Sequence, residues 1–334
     1  MRQLFLVPLC ALLPLLFGCP PPGQGSQSPG GGQSAGINPG ACGNISVTAA
    51  GRKLHSFLVA SAELDRASIE LEQSVYGACQ KMAKELGMPV TGDTRTLCNA
   101  VVAELDANLK VSVSQEKRLV TRTVPPVCTT EVDFAAGIVA ECEAKLVADV
   151  DIRCEGRCGG TCAGACEGRC AASGPSGQCA GVCEGTCRGE CSGTCQGYAD
   201  VDASAECKAS AEIRASVNTT CTEPRVEVVQ QDVTVVDTTK FDRAMAAINA
   251  GLPTILRAGK KAELVARAAV LWAKTLGRLV KAGGGLIADL GEQTLCVGAQ
   301  FAASLAAVAQ VQARFEVSIE VSASVSASAG AQGS

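Results

Sequence analysis

Residues 154–170 read CEGRCGGTCAGACEGRC, and residues 179–195 read CAGVCEGTCRGECSGTC. Between them lies AASGPSGQ, whose glycines and proline read as a turn. Each block sets its cysteines four residues apart, with glycine midway between neighbours. In a strand, residues two and four apart share a face, so each block shows alternating cysteine and glycine on one side. Folded about the turn as an antiparallel hairpin, the blocks oppose Cys170 to Cys179, Cys166 to Cys183, Cys162 to Cys187, Cys158 to Cys191 and Cys154 to Cys195. Each pair of residue numbers has the same sum, which within a regular repeat is nearly automatic. Outside the repeat, Cys142 with Cys207 and Cys128 with Cys221 keep that sum, although their flanking spacings, 12 and 14, are not multiples of a shared repeat. The expectation is one extended β-hairpin over residues 109–239, with its cysteine and glycine ladder at 154–195. Same-face opposed positions are all of one hydrogen-bonding type, so one geometry can serve every disulfide rung. The apolar positions of the two arms continue this register, large residues mostly facing small ones.

On either side the apolar period changes to that of a helix. Leu54, Phe57, Leu58, Ser61, Leu64, Ser68, Leu71, Val75, Cys79, Met82 and Leu86 form one stripe over 52–87. Gly87, Pro89 and Gly92 end it. A second helix over 94–108 carries Leu97, Cys98, Val101, Val102 and Leu105, which puts Cys98 within reach of Cys79 across a helical hairpin. Residues 240–312 return to helix, with Pro253 expected in a first turn and a break at 283–285. Residues 110–123 and 314–328 alternate instead. In the latter, Phe315, Val317, Ile319, Val321, Ala323 and Val325 fall on one side, which predicts a strand.

The N-terminus has the layout of an export leader. Arg2 is followed by an apolar run from Leu4 to Phe17, too short and too broken by Pro8 and Pro14 to remain as a membrane span. It ends in Leu16-Phe17-Gly18-Cys19, which resembles the lipobox of bacterial lipoproteins, with Phe17 departing from the small residue usual there. That resemblance implies cleavage after residue 18 and lipidation, including palmitate, on Cys19. Pro20 following the cysteine, in place of aspartate, implies sorting to the outer membrane. Residues 19–44, rich in Pro, Gly, Ser and Gln, are expected to be a flexible tether. The Gly-Cys blocks also resemble those of cysteine-repeat lipoproteins of myxobacteria, over about a quarter of the chain. That implies a surface or outer-membrane protein with no assigned activity.

Of the 20 cysteines, Cys10 leaves with the leader and Cys19 takes lipid, so an even number remains. The hairpin pairs leave Cys42, Cys79, Cys98 and Cys296, enough for Cys79–Cys98 and Cys42–Cys296. An even count in an exported chain fits an oxidised framework. The competing reading is sequestration of zinc or copper by the CxGxC blocks, but the spacing is not that of zinc ribbons and His55 is the only histidine. An acidic face near Asp149, Asp151, Asp200 and Asp202 raises calcium as a weaker possibility than plain solvation.

No catalytic constellation stands out. A nucleophile–His–acid set would have to use His55, and no nucleophile motif accompanies it. The net charge of −4 gives no nucleic-acid footprint, and the apolar face of the hairpin lacks the aromatic girdles of a membrane barrel.

The reading is therefore an α+β protein: a long-helix bundle from 45–108 and 240–312, carrying an extended disulfide-laddered antiparallel β-hairpin, with a C-terminal strand and tail at 313–334. Its expected role is that of a non-enzymatic outer-membrane lipoprotein with a rigid projection, facing periplasm or cell surface. No cofactor or metal is expected. The expected partners are the membrane, through the lipid, and a protein or envelope component. Pore formation by the hairpin is the remaining alternative.

Overall fold

The stripe that begins at Leu54 is one uninterrupted helix, α1 (Ala49–Glu85), about 55 Å long at helical rise. Thr48 caps it by accepting from Gly51 N, and Gly87 at φ 74° turns the chain out of it. The computed structural model describes residues 36–112, 120–150, 152–173, 179–229, 235–282 and 290–333. The leader and Cys19 lie outside them.

The other long elements are α2 (Thr94–Ser112), α5 (Thr238–Ala282) and α6 (Thr294–Ser328). With α1 they enclose one core around Leu54, Phe57, Leu58, Leu64, Ile248, Leu252, Trp272, Phe301 and Phe315. Large side chains are few, and backbones come close where glycine allows it. A Cβ on Gly251 of α5 would fall 2.3 Å from Met82 of α1, and one on Gly259 would fall 2.2 Å from Ser322 of α6. The structure is thus mostly helical with antiparallel strands, the coarse class that the sequence leads one to expect. In detail it departs from that expectation at five places.

Residues 314–328 are helix, not strand, and complete α6. Phe315, Ser318, Val321 and Val325 are buried, a helical spacing hidden inside the alternating pattern. The alanine-rich 294–313 stretch already supplies the helix, so extending it is cheap, and packing overrides the β-preference of the branched residues. The serines are accommodated by bonding back one turn, as Ser318 Oγ donates to Arg314 O at 2.9 Å.

Pro253 lies inside α5 rather than in the first turn of a new helix. Leu252 and Ile255 on either side are fully buried, so core packing holds the helix together through the proline. The expected break at 283–285 falls outside the described residues.

The segment 109–239 is not one hairpin. Helix α2 runs on to Ser112, and each arm is interrupted by a short helix, α3 (Val132–Glu143) and α4 (Ala205–Val217). Strands β1 (Val120–Val124), β2 (Cys128–Glu131), β3 (Ile152–Ser173), β4 (Cys179–Val201), β5 (Thr220–Cys221), β6 (Arg225–Val229) and β7 (Ala331–Gly333) form two sheets, ordered β6-β1-β7 and β3-β4-β2-β5. Alanine favours helix in the arms. Val132, Ala135, Ala136, Val139 and Ala140 of α3 then meet Ala211 and Ala215 of α4 in a second small core.

The hairpin register is one repeat away from the expected one. Ile152 stands opposite Val201, Cys158 opposite Cys195 and Cys162 opposite Cys191. A slip of four residues again sets cysteine against cysteine, so the repeat does not specify the pairing by itself. Nor is the ribbon fully extended. Glu155–Cys158 is flanked on one edge by Tyr198–Cys195 and on the other by Thr186–Cys183, which also pairs with Glu167–Cys170. The ribbon therefore coils back on itself after twelve residues of β3.

Finally, the far end of the expected tether belongs to the fold. Pro39–Cys42 is a short 3-10 helix, Ile37 and Cys42 are buried, and Asn38 N donates to Gln300 Oε1 at 2.7 Å.

Candidate functional site

Two features concentrate chemistry: the cysteine-braced base of the ribbon and the polar seam of the bundle. At the base, Cys154, Cys158 and Cys195 are fully buried against α3 and α4, together with Val150, Ile152, Ala199 and Val201. Small side chains on both helices let the Cys-Gly face sit directly on them.

Five disulfides join the described residues: Cys42–Cys296, Cys79–Cys98, Cys128–Cys221, Cys142–Cys207 and Cys154–Cys195. Cys128–Cys221, Cys142–Cys207 and Cys154–Cys195 are among the pairs expected from spacing, Cys79–Cys98 is the one expected across the helical hairpin, and Cys42–Cys296 is the one left by the count. Their settings differ. Cys128 and Cys221 face each other in a strand pair, whereas Cys142 and Cys207 bridge α3 to α4. Cys154–Cys195 is diagonal, because Cys154 stands opposite Ala199 in the register. Cys158 is also disulfide-bonded. Of the expected rungs Cys158–Cys191, Cys162–Cys187, Cys166–Cys183 and Cys170–Cys179, every side chain except that of Cys158 lies outside the described residues.

The coil step matches the sequence. Glu155-Gly156-Arg157-Cys158 and Glu167-Gly168-Arg169-Cys170 are identical and lie on the two edges of one β4 segment. Arg157 and Arg169 are thereby both register partners of Glu184.

The acidic residues near the base of the arms take basic or backbone partners. Glu143 accepts from Ser204 N at 2.9 Å and lies 3.3 Å from Lys53 of α1. Burial pushes its carboxyl up, but the Ser204 hydrogen bonds and Lys53 outweigh that and hold it below the ordinary glutamate range. Asp200 pairs with Lys208, which also reaches Glu212 at 3.6 Å. Among the described residues no cluster of three or more His, Cys, Asp or Glu could hold a metal ion.

The polar seam follows no motif in the sequence. Arg314 of α6 is buried and donates to Asp65 Oδ1 at 3.0 Å and Ser68 Oγ at 3.1 Å, while its Nε lies 3.6 Å from Glu72. Glu72 also accepts from Thr94 Oγ1 at 3.1 Å, so α1, α2 and α6 share one network. Two clues were present: Asp65 lies beside Leu64 on the buried stripe, and Arg314 is the one basic residue in α6. Nearby, Trp272 Nε1 donates to Ser61 Oγ at 2.8 Å. On α5, burial holds the Lys261 amine below the usual lysine range, with Glu70 opposing and Arg257 adding to the shift.

Among the described residues, one helical stretch, Gly291–Ser328, is long and apolar enough to cross a membrane by length and composition. In this fold it packs on α1, α2 and α5. His55 lies on α1 at a cleft between α1, α3 and α4. No protein-family model, no curated protein and no solved structure matches the chain.

Proposed function

We propose that the chain is an exported, non-enzymatic lipoprotein of the outer membrane, anchored through Cys19, whose disulfide-braced ribbon is a rigid contact element for a protein or envelope partner. The observation that carries this reading is the bracing itself. Disulfides close both arms, the helical hairpin and the N-terminal segment, a density suited to an oxidising compartment. The remaining rungs, Cys158–Cys191, Cys162–Cys187, Cys166–Cys183 and Cys170–Cys179, would continue the Cys154–Cys195 offset and leave no thiol of the repeat unpaired.

The test of the anchor is growth with an alkyne-tagged fatty acid followed by membrane fractionation, in the native host. The native chain is expected to take label and sediment with the outer membrane. Cys19→Ser is expected to lose both, and label that persists on Cys19→Ser overturns the anchor.

Two other readings give different results. Metal sequestration by the cysteine blocks requires ten or more reactive thiols and bound zinc or copper in protein from the host. Pore formation requires dye leakage from liposomes.

A further inference from the structure

The first turns of α1 and the C-terminal ends of α3 and α4 enclose a cleft of about 260 Å³. Arg52, His55 and Ser56 enter it from α1, Ser46 from the preceding loop, Glu141 from α3 and Arg214 from α4. The Cys142–Cys207 disulfide ties α3 to α4 beside it, so its walls are fixed covalently.

Its charges are unevenly satisfied. Arg214 commits its Nε to Glu63 at 3.1 Å and lies over the Phe134 ring. Arg52 has a buried Nε with no hydrogen-bond partner among the described residues. A buried donor on a permanent cation is costly unless an acceptor meets it. The cleft also offers two hydroxyls and an imidazole, and it lies by the N-terminus of a long helix, where negative charge is favoured. The one carboxylate in the lining, Glu141, is exposed.

We propose that this cleft binds a small oxyanion, a carboxylate or a phosphate group, seated on Arg52 with Arg214, His55, Ser46 and Ser56 around it. The volume falls short of the roughly 300–1,000 Å³ of pockets for drug-sized ligands, so it takes an anionic head group and not a whole cofactor. A planar guanidinium matches both groups, because each presents paired oxygens to its fork. Glu141 supplies an acceptor for a donor on the body of the ligand. The inference does not depend on the lipid anchor or on the ribbon.

The test uses the untagged, disulfide-intact chain, titrated with sodium phosphate and separately with sodium acetate at constant ionic strength. The imidazole NMR signals are unambiguous because His55 is the only histidine. A saturable displacement of those signals is expected. It is expected to weaken at least tenfold in Arg52→Gln and to stay unchanged in Arg66→Gln, an exposed arginine outside the cleft. Saturation by phosphate alone assigns a phosphate ligand, by acetate alone a carboxylate, and by both a site that reads charge. Trp272 emission checks that each variant is folded. Should Arg52→Gln not fold, Arg52→Lys keeps the charge, removes the fork and is expected to bind more weakly. No saturable displacement by either anion, or displacement that survives loss of the Arg52 guanidinium, overturns the proposal.

Discussion

Cys195 is bonded to Cys154 but stands opposite Cys158 in the strand register. The Cα atoms of the bonded pair are 5.6 Å apart, so Cys195 has both Cys154 and Cys158 as neighbours across the ribbon. Cys158 is itself disulfide-bonded, and repeating the Cys154–Cys195 offset would pair it with Cys191. Trypsin cuts after Arg153, Arg157, Arg169, Arg188 and Lys208, which leaves 154–157 with a single cysteine. Under non-reducing conditions that peptide is expected linked to 189–208, and backbone fragmentation of the linked peptides, which separates Cys191 from Cys195, is expected to place Cys154 on Cys195 and Cys158 on Cys191. Cys158 found on Cys195 would sink the offset.

Arg314 and Asp65 form a buried pair, and removing one partner strands the other charge. Arg314→Ala is expected to cost about 3–5 kcal/mol, read by urea unfolding with the single tryptophan, Trp272, as reporter. Asp65→Asn combined with Arg314→Met is expected to cost less than Arg314→Ala alone, because the deeply buried Asp65 charge goes with its partner and only the partly exposed Glu72 is left behind. A double variant no more stable than Arg314→Ala would show that the pair is not what the site needs.

Gly259 and Gly277 both lie in α5, yet they predict opposite outcomes. A side chain at Gly259 meets Ser322, so Gly259→Ala is expected to destabilise by roughly 1–3 kcal/mol through overpacking. Gly277 has nothing within 4 Å of the added carbon, and Gly277→Ala is expected to stabilise by about 0.5–1 kcal/mol through helix propensity. Thermal unfolding of the two variants reads the sign directly.

Asp93 starts α2 by accepting from Thr96 N at 2.8 Å. The backbone and hydroxyl of Thr96, with Arg95 nearby, hold its carboxyl below the usual aspartate range against a small opposing effect of burial. A lowered folded-state value means that the stabilisation is present above the unfolded value of about 3.9. It is lost as pH falls through the folded one. Asp93→Ala is expected to cost about 1 kcal/mol at neutral pH. It is also expected to flatten the acid limb of the melting temperature against pH. An unchanged acid limb would remove Asp93 as a contributor.

The legible parts of this fold were those where one physical requirement acted alone. The stripe from Leu54 to Leu86 could only be one face of a helix, and its members are buried. The shared sum of cysteine numbers was informative too, but about a different quantity. It records that the chain returns antiparallel along its own path, which strands, helices and diagonals all satisfy. That is why Cys142 and Cys207 join although α3 and α4 are helical. Residues 314–328 misled because serine and alanine permit either period, and the choice was made by α1 and α5 rather than locally. The cleft was illegible because Arg52 and His55 are distant in sequence from Glu141 and Arg214, and each is unremarkable singly.

The twin tetrapeptides beginning at Glu155 and Glu167 have a consequence for inheritance. A copying error that adds or drops one four-residue unit in both arms restores cysteine opposite cysteine and leaves every thiol a mate. The same error in one arm alone orphans a thiol. Gains and losses in matched sets are therefore the changes that this ribbon can survive, and its length should vary between lineages in such steps.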